Sequence, residues 1–462
     1  MNKTTAIVLA AGEGKRMHSR HPKVLSKLLF RPMIQRVIDS VHGAGIDDII
    51  LIIGFKGEEL DAIYRERYSC IYQKEQKGTG HAVMQAKDEL LKSNCENVIV
   101  LNGDAPFVDS KSIVNLIKIH EKEKSAVTLL SAKLDDPFGY GRIIRDSNGN
   151  LEKIVEQKDA DEEQQKIKEV NSGVYVFNKA DLLFALDNIQ NNNAANEYYL
   201  TDTTEILKNK SKKTGVYMTN NPDTVLGAND KYQLFQLNEK KRLEVLKQLM
   251  LDGVEIPCID GVIIEDSVVI EAGTTILPGS ILKGQTKIGK DCVIGPNSYT
   301  ENVIIGDEVI FNSSYAYDCE IKSKADIGPF VRIRPDSIIE EKVHIGNFVE
   351  VKNSTVGAGT KLPHFNYIGD CEVGKDCNFG CGSLVVNYDG TNKTRSTIGD
   401  NAFIGCNTNL VSPIKVGHFA YTAAGSTITD DVPDYSLAIA RNRQENKENW
   451  VIKTRKLKNL DR

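Results

Sequence analysis

The chain has 462 residues, 40% of them hydrophobic, with a formal net charge of -5. That length provides for two or three domains with ordinary cores, and the charge excludes the general basic field of a nucleic-acid-binding protein. The nine cysteines are scattered, no apolar run approaches the ~18 residues of a membrane span, and no secretory signal leads the chain, so a cytoplasmic, reducing setting away from the membrane is expected.

Residues 1–230 alternate β-rich runs with helical stretches. TAIVLAA (5–11), DDIILIIGF (47–55), NVIVLNGD (97–104) and SAVTLLSAK (125–133) read as strands, and MIQRVIDSVHGAG (33–45) and SIVNLIKIHEKE (112–123) as helices. Such continuous apolar strands are buried on both faces, which predicts a mainly parallel, Rossmann-like α/β sheet flanked by helices. Ligands of these sheets bind outside the carboxyl ends of the strands. LAAGEGKRMHSRHPKVL (9–25) lies there. It is not a Walker loop, because Gly14-Lys15-Arg16 lacks the required spacing, and not a dinucleotide fingerprint, because Met17 replaces the third glycine. A glycine turn lets backbone N–H groups approach an anion, and Arg16 and Lys23 add positive charge, which suits a polyphosphate. A plain strand-to-helix turn with solvated basic residues fits the same letters. Asp104 ends its strand at the same rim, where a carboxylate holds Mg2+ or caps the following helix. GTGHAV (78–83) is a second glycine turn opening a helix.

Residues 231–251 lack Gly and Pro, and Leu243, Leu246 and Met250 recur at helical spacing, so this stretch reads as a linker helix. From 252 to 440 the period is six. Ile264, Ile270, Ile276, Leu282, Ile288 and Ile294 form one series; Ile321, Ile327, Ile333, Ile339, Ile345 and Val351 a second; Ile398, Ile404, Leu410 and Val416 a third. Six is not a multiple of 3.6, and glycine is frequent, so the pattern is a parallel β-helix of hexapeptide repeats whose stacked coils bury one apolar column. The repeat reads as broken at 356–370 and 383–397, and breaks of this kind map to loops on a binding face. These two stretches hold His364, Tyr367, Asn387, Tyr388 and Lys393. Cys377 and Cys381 form a C-x3-C pair, which is not a zinc spacing. Residues 441–462 form a basic tail with the single tryptophan, Trp450.

LAAGEGKRM with PKVL, then QKGTGHA, GDAP, GYGRI, VEQKDA and NSGVYVF resemble a nucleotide-sugar pyrophosphorylase domain. Followed by a linker helix and a hexapeptide β-helix bearing PHFNYIGD and NYDGTNK, they resemble the bacterial bifunctional N-acetylglucosamine-1-phosphate uridyltransferase and glucosamine-1-phosphate N-acetyltransferase family. The resemblance implies a left-handed β-helix, a homotrimer, Mg2+, and UTP and acetyl-CoA as co-substrates. In the first site it implies that Leu9, Ala10, Ala11 and Gly12 line the nucleotide, with Gln73, Gly78 and Thr79 near the uracil and Asn102 and Gly103 continuing the wall. Asp104 and Asn229 would bind Mg2+, Gly141, Glu156 and Asn171 the sugar, and Arg16 and Lys23 would face the triphosphate. In the second site, Arg334, Lys352, Tyr367 and Asn378 would bind glucosamine 1-phosphate, and His364 would be the general base. Cys381, Asn387, Tyr388, Lys393, Cys406, Ala424 and Arg441 would line the acetyl-CoA channel. N-acetylglucosamine 1-phosphate would link the two reactions.

The chain departs from the family pattern at Cys381 and Cys406, where Ala and Ser are common, and at Leu362-Pro363 before His364, where small residues are common. Two other readings fit parts of the pattern: a pyrophosphorylase whose β-helix is only regulatory, and a non-catalytic sugar-nucleotide sensor. The residues at the two breaks argue against the first, and Asp104, Arg16 and Lys23 against the second.

Overall fold

The computed structural model describes residues 2–455. The chain divides into two compact units between Lys241 and Arg242, inside a helix that spans Lys231–Leu251.

The first unit is built on a nine-stranded sheet. Thr4–Ala10 lies at its centre, parallel to Ile49–Ile53 on one side and Asn97–Asn102 on the other, and Ile49–Ile53 runs parallel to Ser69–Tyr72. The central strand alternates its side chains between two cores: Ala6, Val8 and Ala10 face one, Ile7 the other. Burial on both faces is why it reads as an unbroken apolar run. The mainly parallel order is interrupted by Glu169–Asn178, which pairs antiparallel with both Asn97–Asn102 and Val127–Lys133. That inversion matters for the site, because it brings the first residues of this strand, Asn171 and Ser172, to the rim where its neighbours end. A register shift between Asn171 and Tyr175 marks a bulge at the same place. Helices Met33–Gly43 and Ser110–Glu123 lie where the sequence pattern placed them. Asp109 caps the second by accepting from Ser112 N (2.7 Å), so Asp104 is not that cap and is left at the rim.

The linker helix is present, but its buried positions differ from the expected stripe. Leu237 and Leu246 are buried, whereas Leu243 and Met250 are exposed. Leu237 joins a cluster of the first unit with Leu28 and Met33, and Leu246 joins the column of the second, so two different packing faces operate along one helix.

The second unit is a column of short parallel strands arranged as stacked coils. Every residue of the three six-residue series is buried, and the column continues through the intervals between them: Thr300, Ile305, Phe311 and Ala316 fill the first, and Val356, Leu362, Ile368, Val373, Phe379 and Val385 the second. Some steps are five residues rather than six, which hid the continuity from a strict count. Residues 356–370 therefore do not interrupt the coils: Ile339 pairs with Val356, Ile345 with Leu362 and Val351 with Ile368. The real excursion is in the coil where Val373 pairs with Ile398. Buried hydroxyls tie coil to coil. Thr360 Oγ1 donates to Gly374 O (2.8 Å) and accepts from Cys377 N (3.0 Å), which satisfies polar groups that the dry column would otherwise strand. Cys377 is buried in this column while Cys381 is exposed, so the C-x3-C pair cannot converge on one ion. Phe311 is fully buried between coils. Phe311→Ala is expected to lower the unfolding free energy by about 3–5 kcal/mol, measured by urea titration of the full chain.

Candidate functional sites

The carboxyl rim of the sheet holds a cleft with two lobes. One, about 400 Å3, is walled by Leu9, Ala10, Ala11, Gly12, Lys23, Gln73, Gly78 and Thr79. The other, about 240 Å3, is walled by Gly141, Glu156, Asn171 and Asn229. Leu9, Thr79, Asn102 and Asp104 border both, so the division falls at Asp104. The residues assigned to the nucleotide and those assigned to the sugar thus separate into adjoining spaces. Two assigned residues do not line the cleft. Gly103 is buried behind it, with its N–H donating to Leu9 O (2.9 Å), and Arg16 is exposed on the short turn Lys15–Met17.

Lys23 is the electrostatic centre. Its Nζ donates to the Asp104 carboxylate and to Asn229 Oδ1 (2.9 Å), although these residues come from opposite ends of the unit. Its side chain is only 11% exposed. Gly14 makes this placement possible, since it has φ +62 and a Cβ there would stand 2.7 Å from Lys23 Cβ. Asp104 and Asn229 thus present two hard oxygen donors to a single cationic group, which fits the donor set Mg2+ prefers. Gln73 is buried, and its Nε2 lies 3.1 Å from Gly78 O and 3.0 Å from His81 Nδ1, which fixes the amide at the cleft wall. Gly78 turns at φ +104 with Tyr198 O within 2.6 Å of a would-be Cβ.

The sequence reading missed Gln76 and Glu197 in the first lobe and Tyr140 and Thr201 in the second. Tyr140 lies inside the quoted GYGRI and was within reach. Glu197 and Thr201 were not, because their stretch has no periodic signal. They are carried to the rim when Gly80 N donates to Tyr198 O (2.8 Å) and Tyr198 N to Lys77 O (2.8 Å).

On the β-helix, Arg334, Lys352 and Tyr367 come together on one outward face. Ile333 pairs with Val351, and Lys352 pairs with Gly369, so Arg334 and Lys352 occupy the same position in successive coils. The Tyr367 ring folds across Gly369, where a Cβ would stand 2.5 Å from its hydroxyl. Arg334 Nη1 donates to Glu350 Oε1 (2.8 Å), and Lys352 Nζ to Asp370 Oδ2 (3.0 Å). His364 ends the strand Lys361–His364 and is exposed just before the corner that leads to Tyr367. Cys381 and Cys406 are exposed, and Asn407 N donates to Cys381 O (2.8 Å) while Gly425 N donates to Cys406 O (2.8 Å). Cys381, Cys406 and Ala424 therefore stack in successive coils. Asn387 is buried, Tyr388 and Lys393 are exposed and bridged to each other, and Arg441 is exposed with its Cδ near Gly425. Asn378 pairs with Lys361, on a different face from Tyr367. Within one chain the structure does not bring Asn378 to the Arg334–Lys352 group.

A nucleotidyl transferase family model matches residues 5–224. The bacterial transferase hexapeptide model (six repeats) matches 267–302, and the hexapeptide repeat of succinyl-transferase matches 253–278 and 396–430. The bifunctional protein GlmU of Acetivibrio thermocellus is 48% identical over 97% of this chain and 97% of its own length. That of Thermoanaerobacter pseudethanolicus is 48% identical over 98% of each, and that of Listeria monocytogenes 42% identical over 97% of this chain and 98% of its own. The chain belongs to the GlmU family of bifunctional proteins. Its first unit is a nucleotidyltransferase and its second a hexapeptide-repeat acyltransferase, in accord with the uridyl and acetyl transfers expected from the sequence. Family membership sets aside the regulatory β-helix and the non-catalytic sensor. No helix among the described residues is long and apolar enough to cross a membrane.

Carboxylates crowd around Glu156 of the GlmU-type cleft. Burial raises the pKa of Glu156 against an opposing hydrogen bond from Thr201 Oγ1 (3.4 Å), and Asp202, Asp159 and Glu197 raise it further. Burial, with Glu205 and Asp159, pushes Asp202 up to about 6. The folded chain therefore binds more protons than the unfolded chain from the ordinary aspartate range up to pH 6, and the associated stability is lost as pH rises through that window. Asp202→Asn removes the penalty. It is expected to raise the unfolding free energy by about 1 kcal/mol at pH 7.5, after allowance for solvent screening of a partly exposed group, and to leave it unchanged below pH 4. Denaturant titrations at both pH values check this.

Proposed function

We propose that the first unit transfers a uridyl group from UTP to N-acetylglucosamine 1-phosphate, and that the second makes this acceptor by moving the acetyl group of acetyl-CoA onto glucosamine 1-phosphate. The observation that carries the reading is the Lys23 ammonium held by Asp104 and Asn229 at the junction of the two lobes. An acceptor phosphate in the lobe of Gly141, Glu156 and Asn171 and a nucleotide in the lobe of Leu9–Gly12 would meet at that point. The acceptor phosphate oxygen attacks the α-phosphorus, and the bond to pyrophosphate breaks. Such a transfer needs positioning and charge neutralisation more than a protein nucleophile. Asp104 and Asn229 would hold Mg2+, which supplies neutralisation of phosphate charge. Lys23 stands in the same cluster, and exposed Arg16 is left to meet the outgoing pyrophosphate.

In the second unit, Arg334 and Lys352 supply the charge for the sugar phosphate and Tyr367 a hydroxyl beside them. An imidazole nitrogen of His364 takes the proton from the 2-amino group as nitrogen attacks the thioester carbonyl. The carbon–sulfur bond then breaks, and the proton passes to the leaving thiolate. Asn387, Tyr388, Lys393, Cys381, Cys406, Ala424 and Arg441 would bind the acetyl donor. This site lies on an open face. Phe330, Phe348 and Phe365 are each more than half exposed beside it, in a row of successive coils, and Phe330 stacks on Phe348 (centroids 5.6 Å). Exposed aromatic ladders mark interfaces, and Asn378 lies on another face. Both features support a homotrimer in which a second copy completes each acetyl site.

Mixing glucosamine 1-phosphate, acetyl-CoA, UTP and Mg2+ with the full chain should yield UDP-N-acetylglucosamine, identified by mass spectrometry; failure overturns the reading. Lys23→Met should slow uridyl transfer by roughly 10²–10³ and spare acetyl transfer. His364→Ala should do the reverse, with a loss of about 10²–10⁴. Sedimentation should show a trimer, and Phe348→Ser should weaken it and depress acetyl transfer alone.

A further inference from the structure

Asp370 occupies a corner of the β-helix at φ 50, and its side chain is 7% exposed. A carboxylate so enclosed needs several donors, and it has three. Lys352 Nζ donates from 3.0 Å, Asn353 Nδ2 from 2.5 Å, and Asn387 Nδ2 also donates to it. Burial works to raise its pKa, but the hydrogen bonds from Asn353, Lys352 and Asn387 outweigh that and hold it below the usual aspartate value. Its backbone is engaged as well. Its N–H donates to Lys352 O (3.0 Å), and its carbonyl accepts from Ser396 N (3.1 Å).

These contacts join the charged face to the excursion, because Asn353, Asp370 and Asn387 fall at the same position in successive coils. Lys352 belongs to the charged face with Arg334. Asn387 and Ser396 are the entrance and exit of the excursion that lengthens the coil between Val373 and Ile398. Thr394 N donates to Asn387 O (3.0 Å) and closes the base of that excursion, while Tyr388 and Lys393 bridge higher up. Arg395 adds a bond to Asn353 O (2.9 Å) in the same place.

We propose that Asp370 is a positioning residue for the acetyl transfer, one carboxylate that sets the Lys352 ammonium for the sugar phosphate and anchors the 387–396 loop for the acetyl donor. This rests on the assignment of those two subsites in the preceding subsection. Asp370 touches neither substrate. It acts by fixing both subsites to a single rigid point, so that disturbing it loosens both at once.

The test is steady-state acetyl transfer by the full chain, read as thiol release, with each substrate varied in turn. Asp370→Asn replaces an acceptor of three donors by an amide that must itself donate. KM for glucosamine 1-phosphate and KM for acetyl-CoA should each rise about tenfold, kcat should fall by less than that, and uridyl transfer should be unchanged. Both KM values within twofold of wild type, a rise in only one, or a fall in kcat alone overturns the inference. Absence of thiol release from the wild-type chain instead overturns the assignment of the second unit, so the two failures are distinct. If Asp370→Asn does not fold, Lys352→Met decides. It removes the countercharge from Asp370, and KM for acetyl-CoA should rise at least threefold, although Lys352 is on the sugar-phosphate side. An unchanged KM for acetyl-CoA overturns the link.

Discussion

Both proposed sites hold a lysine against a carboxylate where a strand ends or a coil turns. Lys23 pairs with Asp104 and Lys352 with Asp370, and both lysine side chains are mostly buried, 11% and 16% exposed. Taking such a pair out of water costs nearly what the attraction returns, so these pairs add little to stability. What they supply is a cation fixed in direction before any ligand arrives. Anionic substrates bound as proposed would meet a charge that needs no reorganisation, which is where electrostatic catalysis gains most.

The two units reach this arrangement by different routes. In the first, parallel strands end together, and one inverted strand delivers its own beginning to the same rim. Residues far apart in the chain, Lys23, Asp104 and Asn229, therefore meet at one atom. In the second, register does the work. Equivalent positions recur in each coil, so Arg334 and Lys352 stack as neighbours without any long-range loop. The excursion at 387–396 departs from this regularity, and Asp370 returns it to the coil.

The units also differ in how complete they are within one chain. The cleft at the sheet rim has walls for both proposed substrates. The β-helix offers an outward face, with an aromatic ladder at its edge and one assigned residue, Asn378, turned away. A column of stacked coils buries its apolar residues inward and has no second layer with which to roof a pocket. This is the geometry behind the proposed trimer, in which a neighbouring copy would complete the acetyl site.

Much of this was legible in the letters alone. Apolar runs at strand length, glycine turns behind them and a six-residue apolar period report local preferences repeated many times, and repetition makes a weak signal strong. They identified the α/β unit, the linker helix and the β-helix, and the resemblance carried by the quoted motifs named about half of the residues that line the cleft. Less was legible wherever position depends on what packs from elsewhere. The antiparallel strand, the five-residue steps that keep the column unbroken through 356–370, the buried face of the linker helix, and the approach of Glu197 and Thr201 to the rim all follow from tertiary contacts. So does the pairing of Lys23 with Asp104 and Asn229, and the gathering of Lys352 and Asn387 around Asp370. The sequence by itself determined the kinds of elements and the chemical groups available, because those follow from side-chain size, polarity and period. Only the tertiary structure decided which charges face each other, because a hydrogen bond forms over about 3 Å and no local pattern reports distance between residues two hundred positions apart.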